Sequence, residues 1–248
     1  MCYFVNRSEE VFPVDLGTLS EAMGGTVSLE RYVALLPHFE QAMKEADVTT
    51  APRAAMWCAQ LGHESVGLKY MEEIASGDAY EGRTDLGNTQ PGDGRRFKGR
   101  GPIQVTGRAN YAALSRWAHQ RSLVPTPTFF VDNPAALASL DYAFYGAVWF
   151  WVTHDLNGPA DRRDLEATTK IINGGFNGLD DRRIRYQRCS ALGNRLVPQP
   201  HPTEGEEARR QPEVDRLATA RQSDGGGCSS GHPQCVAPLE HPSANPWM

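Results

Sequence analysis

From about residue 18 to residue 197 the apolar positions recur at the spacing of helices that pack on one face. Ala55, Trp57, Cys58 and Leu61 make one such stripe. Thr49 or Thr50 can cap it, with Pro52 in the first turn, where a missing N–H costs nothing. Asp132-Asn133-Pro134 opens another helix in the same way. Leu140 to Val152 is apolar nearly all round, which predicts a buried central helix. Leu165, Thr168, Thr169 and Ile172 form a stripe that ends at Gly174-Gly175, and Ile184 to Leu192 form a last helix stopped by Gly193. The fold class is therefore mostly α. Residues 76–107 interrupt the helices with Gly, Asp, Asn and Arg, and a loop of that length in a compact domain is usually functional or disordered.

The pattern fades at Pro198. From there to Met248 the chain holds eight of its 17 prolines, a Gly225-Gly226-Gly227 run and only four Val, Leu, Ile or Phe residues. Such a segment cannot bury enough apolar surface to offset its chain entropy. The expected organisation is a lead-in or linker over 1–27, a catalytic domain over 28–197 and a flexible tail over 198–248. Twenty-five Lys and Arg against 30 Asp and Glu leave a formal charge of -5, too few cations for a dedicated nucleic-acid binder. No apolar run approaches the ~18 residues of a membrane span. Met1 to Glu10 has neither a basic n-region nor a sustained apolar stretch, so no secretory signal is expected. Of five cysteines, Cys58 and Cys189 sit in helical apolar patterns and read as buried free thiols. Cys228 and Cys235 flank His232 at no standard zinc spacing, so neither a metal site nor a cofactor is expected.

The candidate chemistry starts at His63-Glu64. A zinc-protease helix would need a second His one turn on, and Ser65-Val66-Gly67 follows instead. Glycoside hydrolysis needs two carboxyl groups flanking one bond. Glu64, at the end of a helix, and Glu81, in Tyr80-Glu81-Gly82-Arg83, can supply them, although Glu72, Glu73, Asp78, Asp85 and Asp93 compete for the second place. Phe97 to Gly107 is the sharpest feature. Gly99, Gly101 and Pro102 suggest a rigid backbone wall, and Gln104 and Thr106, two apart, would face one side of it if the segment is extended.

With those residues in hand, the chain resembles the family 19 glycoside hydrolases, the chitinases and related phage or bacterial endolysins, over roughly residues 50–195. Gly62-His63-Glu64-Ser65 is similar to the segment around the family's general acid, and Tyr80-Glu81-Gly82-Arg83 falls where its second glutamate belongs. Arg100-Gly101-Pro102-Ile103-Gln104 and Ile172-Asn173-Gly174-Gly175 match two further family motifs. The resemblance implies a lysozyme-like α-helical domain with long active-site loops and an inverting mechanism. Glu64 would be the acid, Glu81 the base, and Thr106 would help to hold the attacking water. His63, Gln104, Asn110, Tyr111 and Asn173 would contact sugar, and Arg183 would sit beside Glu64 and order it. The expected substrate is bacterial peptidoglycan, with chitin as the alternative polymer. The expected protein is a monomeric endolysin, held in the host cytoplasm until lysis and then acting at the cell wall. A catalytically inactive glycan-binding module is the rival from a different class.

Overall fold

The computed structural model describes residues 14–198, so nearly all of the expected tail lies outside the described residues. Helices α1 (Leu16–Met23), α2 (Leu29–Glu45) and α3 (Ala51–Glu64) come first, and the short α4 (Asp93–Arg96) lies within the long loop. They are followed by α5 (Arg108–Gln120), α6 (Phe129–Asp132), α7 (Tyr145–Thr153), α8 (Asn157–Asp161), α9 (Leu165–Asn173) and α10 (Leu179–Leu192). The extended contacts among the described residues are two isolated bridges, Glu72 to Arg100 and Arg100 to Val105. The architecture is the mostly α one that the apolar pattern implies.

Local chemistry sets the helix ends. Thr50 caps α3 by accepting from the Arg53 N–H, and Asp164 caps α9 by accepting from that of Ala167 at 2.9 Å. Gly174 ends α9 in the left-handed conformation. Two expectations shift. The apolar run starting at Leu140 becomes helical only at Tyr145, after a turn, and Pro134 opens a short 3-10 segment (Pro134–Ala138) rather than an α-helix.

Helices α3 and α10 share the most extensive packing, and α7 lies behind α3, where the Trp57 and Trp151 rings meet edge to face at 5.1 Å. The packed body does not start at 28. Leu19, Ala22 and Met23 of α1 are fully buried, and Asp15 caps that helix through the Thr18 N–H at 2.8 Å. Helix α1 thus packs into the core ahead of residue 28. Gly24 and Gly25, both with positive φ, form a left-handed helix stop after α1.

Cys58 on α3 and Cys189 on α10 are buried free thiols, as the apolar pattern implies. Burial, with Cys189 alongside, pushes the Cys58 thiol well above its ordinary range. The expected outcome is that iodoacetamide at neutral pH leaves both thiols unlabelled in the native protein and labels both in denaturant. Peptide mass spectrometry reads this directly, and native labelling of either would show that the α3–α10 seam opens.

Candidate active site

Glu64 ends α3, and the residues behind it hold it in place. Its Oε1 accepts from Nη2 of Arg182, whose Nη1 donates to Oε1 of Gln60, one turn earlier on α3. Arg182 has no exposed side-chain surface and Glu64 only 9%. Gln60 is itself fully buried and donates through Nε2 to the Thr169 hydroxyl at 3.2 Å, so α3, α9 and α10 meet at this one cation. The order of the two arginines corrects an expectation. Arg183 points outward to Asp180 at 2.7 Å and Glu166 at 3.7 Å, and the residue beside Glu64 is Arg182. On a helix starting at Leu179, Arg182 lies two turns before the buried Cys189 and therefore shares its inward face, whereas Arg183 is rotated off it.

The turn after Glu64 is strained. Val66, Gly67 and Leu68 all take positive φ (52°, 68° and 67°), costly for a β-branched residue in particular. The N-terminal helices hold this turn. The Gly67 carbonyl accepts from the Thr26 hydroxyl at 2.7 Å and the Tyr32 hydroxyl at 3.2 Å, and a Cβ on Gly67 would stand 2.3 Å from Thr26 Oγ1. His63 is packed rather than presented. Its Nδ1 lies 2.7 Å from Asp181 Oδ2, and its ring is so close to Gly178 that a Cβ there would approach Cε1 to 2.1 Å.

A second group of oxygens surrounds Gly99. A Cβ on Gly99 would lie 2.7 Å from Gln104 Oε1, 3.3 Å from Glu73 Oε2 and 3.3 Å from Thr106 Oγ1. The Glu73 carboxylate accepts from the Gly99 N–H at 3.0 Å through Oε2 and from the Tyr80 hydroxyl at 3.0 Å through Oε1. Burial, and then the negative charge of Glu73, raise the Tyr80 phenol far above its ordinary value, so it stays a donor. The wall that carries these groups is a tight turn rather than an extended strand. Arg100 pairs with Val105, the Gln104 N–H donates to the Gly101 carbonyl at 3.0 Å, and Gln104 takes φ 58°. The turn brings Gln104 and Thr106 to one place by folding, without alternation along a strand.

The remaining candidates divide. Asn173 is 3% exposed, and its Oδ1 is buried without a hydrogen-bond partner. Asn110 donates to the Thr106 carbonyl at 2.8 Å, steadying the wall from the first turn of α5. Tyr111, expected to contact sugar, is fully buried: its hydroxyl donates to the Lys98 carbonyl at 2.8 Å and accepts from Arg100 at 3.0 Å. It supports the wall from behind. Glu81 is exposed, and its two oxygens accept from the Gly92 and Gly94 N–H groups at 2.7 and 2.8 Å. Glu73 was one of several competing carboxylates in sequence, and its pairing with Gly99 depends on a fold contact that spacing does not reveal.

The 76–107 loop is held by its own polar residues. Asp93 is 1% exposed and accepts from Arg108 at 2.8 Å, and the buried Asn88 bridges the Tyr80 carbonyl and the Arg108 N–H at 2.9 and 2.8 Å.

A helical body with an arginine-held glutamate at a helix end, and a carboxylate, amide and hydroxyl gathered on an adjoining turn, define a lysozyme-like glycosidase fold. The sequence profile of glycoside hydrolase family 19, described as chitinase class I, matches residues 38–166. The chain belongs to glycoside hydrolase family 19. A family 19 domain-containing protein of Haemophilus influenzae is 29% identical over 183 residues, covering 61% of this chain and 86% of that one. An endochitinase of Arabidopsis thaliana is 36% identical over 147 residues, covering 56% of this chain and 47% of its own length. The chain thus spans about half the length of that plant relative. The crystal structure of chitinase C from Streptomyces griseus superposes with a TM-score of 0.54 at 20% identity, covering 77% of this chain and 98% of that one, a likeness of fold.

Two outcomes are expected here. Arg182→Ala leaves the Gln60 and Glu64 oxygens buried beside a void and lowers stability by about 3–5 kcal/mol in urea denaturation, whereas Arg183→Ala stays within about 0.5 kcal/mol. Equal effects would mean that the helix register is misassigned. The second concerns Asp181. Burial would raise its carboxyl, but hydrogen bonds from His63 and Arg185 outweigh burial and hold it well below the ordinary value. A depressed folded value contributes stability that is complete above the unfolded value of about 3.9 and is lost as pH falls through the lower folded one. Asp181→Asn should therefore melt below wild type at pH 7, with the gap closing as pH drops below about 4. A gap that is constant with pH would contradict this.

Proposed function

We propose that the protein hydrolyses β-1,4 bonds between N-acetylated amino sugars with inversion at the anomeric carbon, with Glu64 as the acid. The observation that carries this reading is the Glu64 carboxylate fixed at the end of α3 by the buried Arg182, with an unpartnered amide oxygen on Asn173 at the end of α9. Glu64 gives its proton to the glycosidic oxygen as the bond breaks, and a water attacks the anomeric carbon from the opposite face. The base that takes the water's proton is Glu73. Its Oε2 and the Thr106 hydroxyl lie on the same side of Gly99, so together they can hold one water, with the Gln104 amide beside them. Glu73 takes the place that the family resemblance implied for Glu81. The Asn173 Oδ1 suits the N–H of an acetamido group, a donor that amino sugars carry and plain glucans lack.

Chitin is the polymer that the names of the plant relatives favour, since those proteins are endochitinases. Peptidoglycan is the second reading. Its strands carry the same N-acetylated amino sugars that the Asn173 amide would meet in chitin. In that reading the protein is a phage-type endolysin that acts at the cell wall after lysis begins.

Separate assays on chitin oligosaccharides and on purified peptidoglycan, with mass spectrometry of the new reducing ends, decide the polymer. The glutamates separate by variant. Glu64→Gln and Glu73→Gln should each lower turnover by at least ~10²-fold. Azide restores activity only to Glu73→Gln, because a small anion can replace the missing water and base but not the missing proton. Glu81→Gln should keep near-normal turnover. If Glu81→Gln abolishes turnover and Glu73→Gln does not, the base is Glu81, and if Glu64→Gln is fully active the glycosidase reading fails.

A further inference from the structure

Phe176 is 54% exposed, and it is the one Phe, Tyr or Trp among the described residues whose ring lies in the exposed class. No ring–ring or cation–π contact to another described residue holds it. It stands in the five-residue connection between α9 and α10, residues 174–178, immediately after the Asn173-Gly174-Gly175 turn.

That connection is a fixed part of the site. Its first residue, Gly174, and its last, Gly178, both take positive φ (72° and 69°), which sets the path of the chain. Gly178 lies flush against the ring of His63, the neighbour of Glu64. Arg182, which holds Glu64, also donates through Nε to the Asn177 carbonyl at 3.4 Å, and the Phe176 carbonyl accepts from the Leu179 N–H at 3.2 Å. Asn177 and Gly178 are thus pinned to the acid's own supports, and Asn173 ends α9 on the other side. An apolar ring carried between such anchors, left facing water, has no role in the core.

We propose that Phe176 is a sugar-stacking platform: it packs on the C–H face of a sugar bound beside Glu64 and thereby sets the affinity of the cleft for a pyranose chain. A pyranose presents hydroxyls at its edge and a patch of C–H groups on its face. An aromatic face, with its negative quadrupole, attracts those C–H groups while the hydroxyls stay in water. Polar groups such as the Asn173 amide fix the orientation, and an apolar surface supplies the contact area. This inference rests on the reading of the site as a glycan cleft.

The test measures binding and turnover separately. Binding of the N-acetylglucosamine hexamer, and of glycan strands from peptidoglycan stripped of peptide, is titrated calorimetrically into Glu64→Gln protein with and without Phe176→Ala. Phe176→Ala should weaken binding of whichever glycan binds by about fivefold or more, and Phe176→Tyr should restore it. In the active protein Phe176→Ala should raise KM by a similar factor with kcat changed less, at an unaltered melting temperature. Ile184→Ala, equally exposed on α10, should change neither. If a glycan binds and is cleaved but Phe176→Ala binds it as tightly as its parent, the platform is refuted while the glycosidase reading stands. If neither glycan binds Glu64→Gln protein and neither is cleaved by wild type, the cleft reading fails and the platform fails with it.

Discussion

A guanidinium with no exposed surface must be neutralised where it stands, and Arg182 meets that demand with Glu64 and Gln60. Most of the site depends on that requirement. Two of its partners lie one turn apart on α3, so α10 can lie against α3 only in the register that brings Arg182 between them. The same packing seats His63 on Asp181 and on Gly178, and sets the α9–α10 connection beside the acid. Replacing this polar cluster with apolar residues could leave the helices as stable, since buried ion pairs seldom add net stability. What the cluster supplies here is a carboxylate held at one position on the site's edge.

The second half of the site is built on a different principle. Arg182 acts across a helix interface, whereas the Glu73 group is gathered by backbone turns. Gly99 leaves room where a side chain would meet Gln104, Glu73 and Thr106, and Gly101 must be glycine because its φ is 75° and a Cβ there would strike the Ala143 carbonyl at 2.6 Å. Left-handed backbone at non-glycine residues occurs in both halves, at Val66 and Leu68 after Glu64 and at Gln104 on the wall. Each strained segment is tied from behind, the first by Thr26 and Tyr32, the second by the Arg100–Val105 pairing and the Asn110 amide. Left-handed backbone at non-glycine residues persists only where neighbours over-determine it. In this chain those neighbours include α1 and α2, which is why the domain needs residues ahead of 28.

How much of this is legible in sequence follows from which forces are local. Helix periodicity and caps are local, so α3, α9 and the helical content of the body read correctly, and the ordered motifs identify the family. The face of α10 was also legible in principle. Cys189 reads as buried, and two turns back along that stripe is Arg182, not Arg183. The proposed base was not legible. Glu72 and Glu73 look like an ordinary charged pair, and only the fold shows that Glu72 meets Arg100 at 2.9 Å while Glu73 turns to Gly99 and Tyr80. Tyr111 misleads in the opposite way: an aromatic beside a polar motif suggests a sugar contact, yet its hydroxyl is needed inside to bond the Lys98 carbonyl and Arg100.

The two halves also differ in how they can change. The α3–α10 half is set by a buried charge, and any drift in it leaves an ion unpaired, so substitutions there carry large penalties. The loop half includes ion pairs nearer the surface, such as Arg95 on Asp78 and Arg83 on Asp85, whose replacement costs less. A fold arranged this way holds the proposed acid at one position while the 76–107 loop is freer to vary.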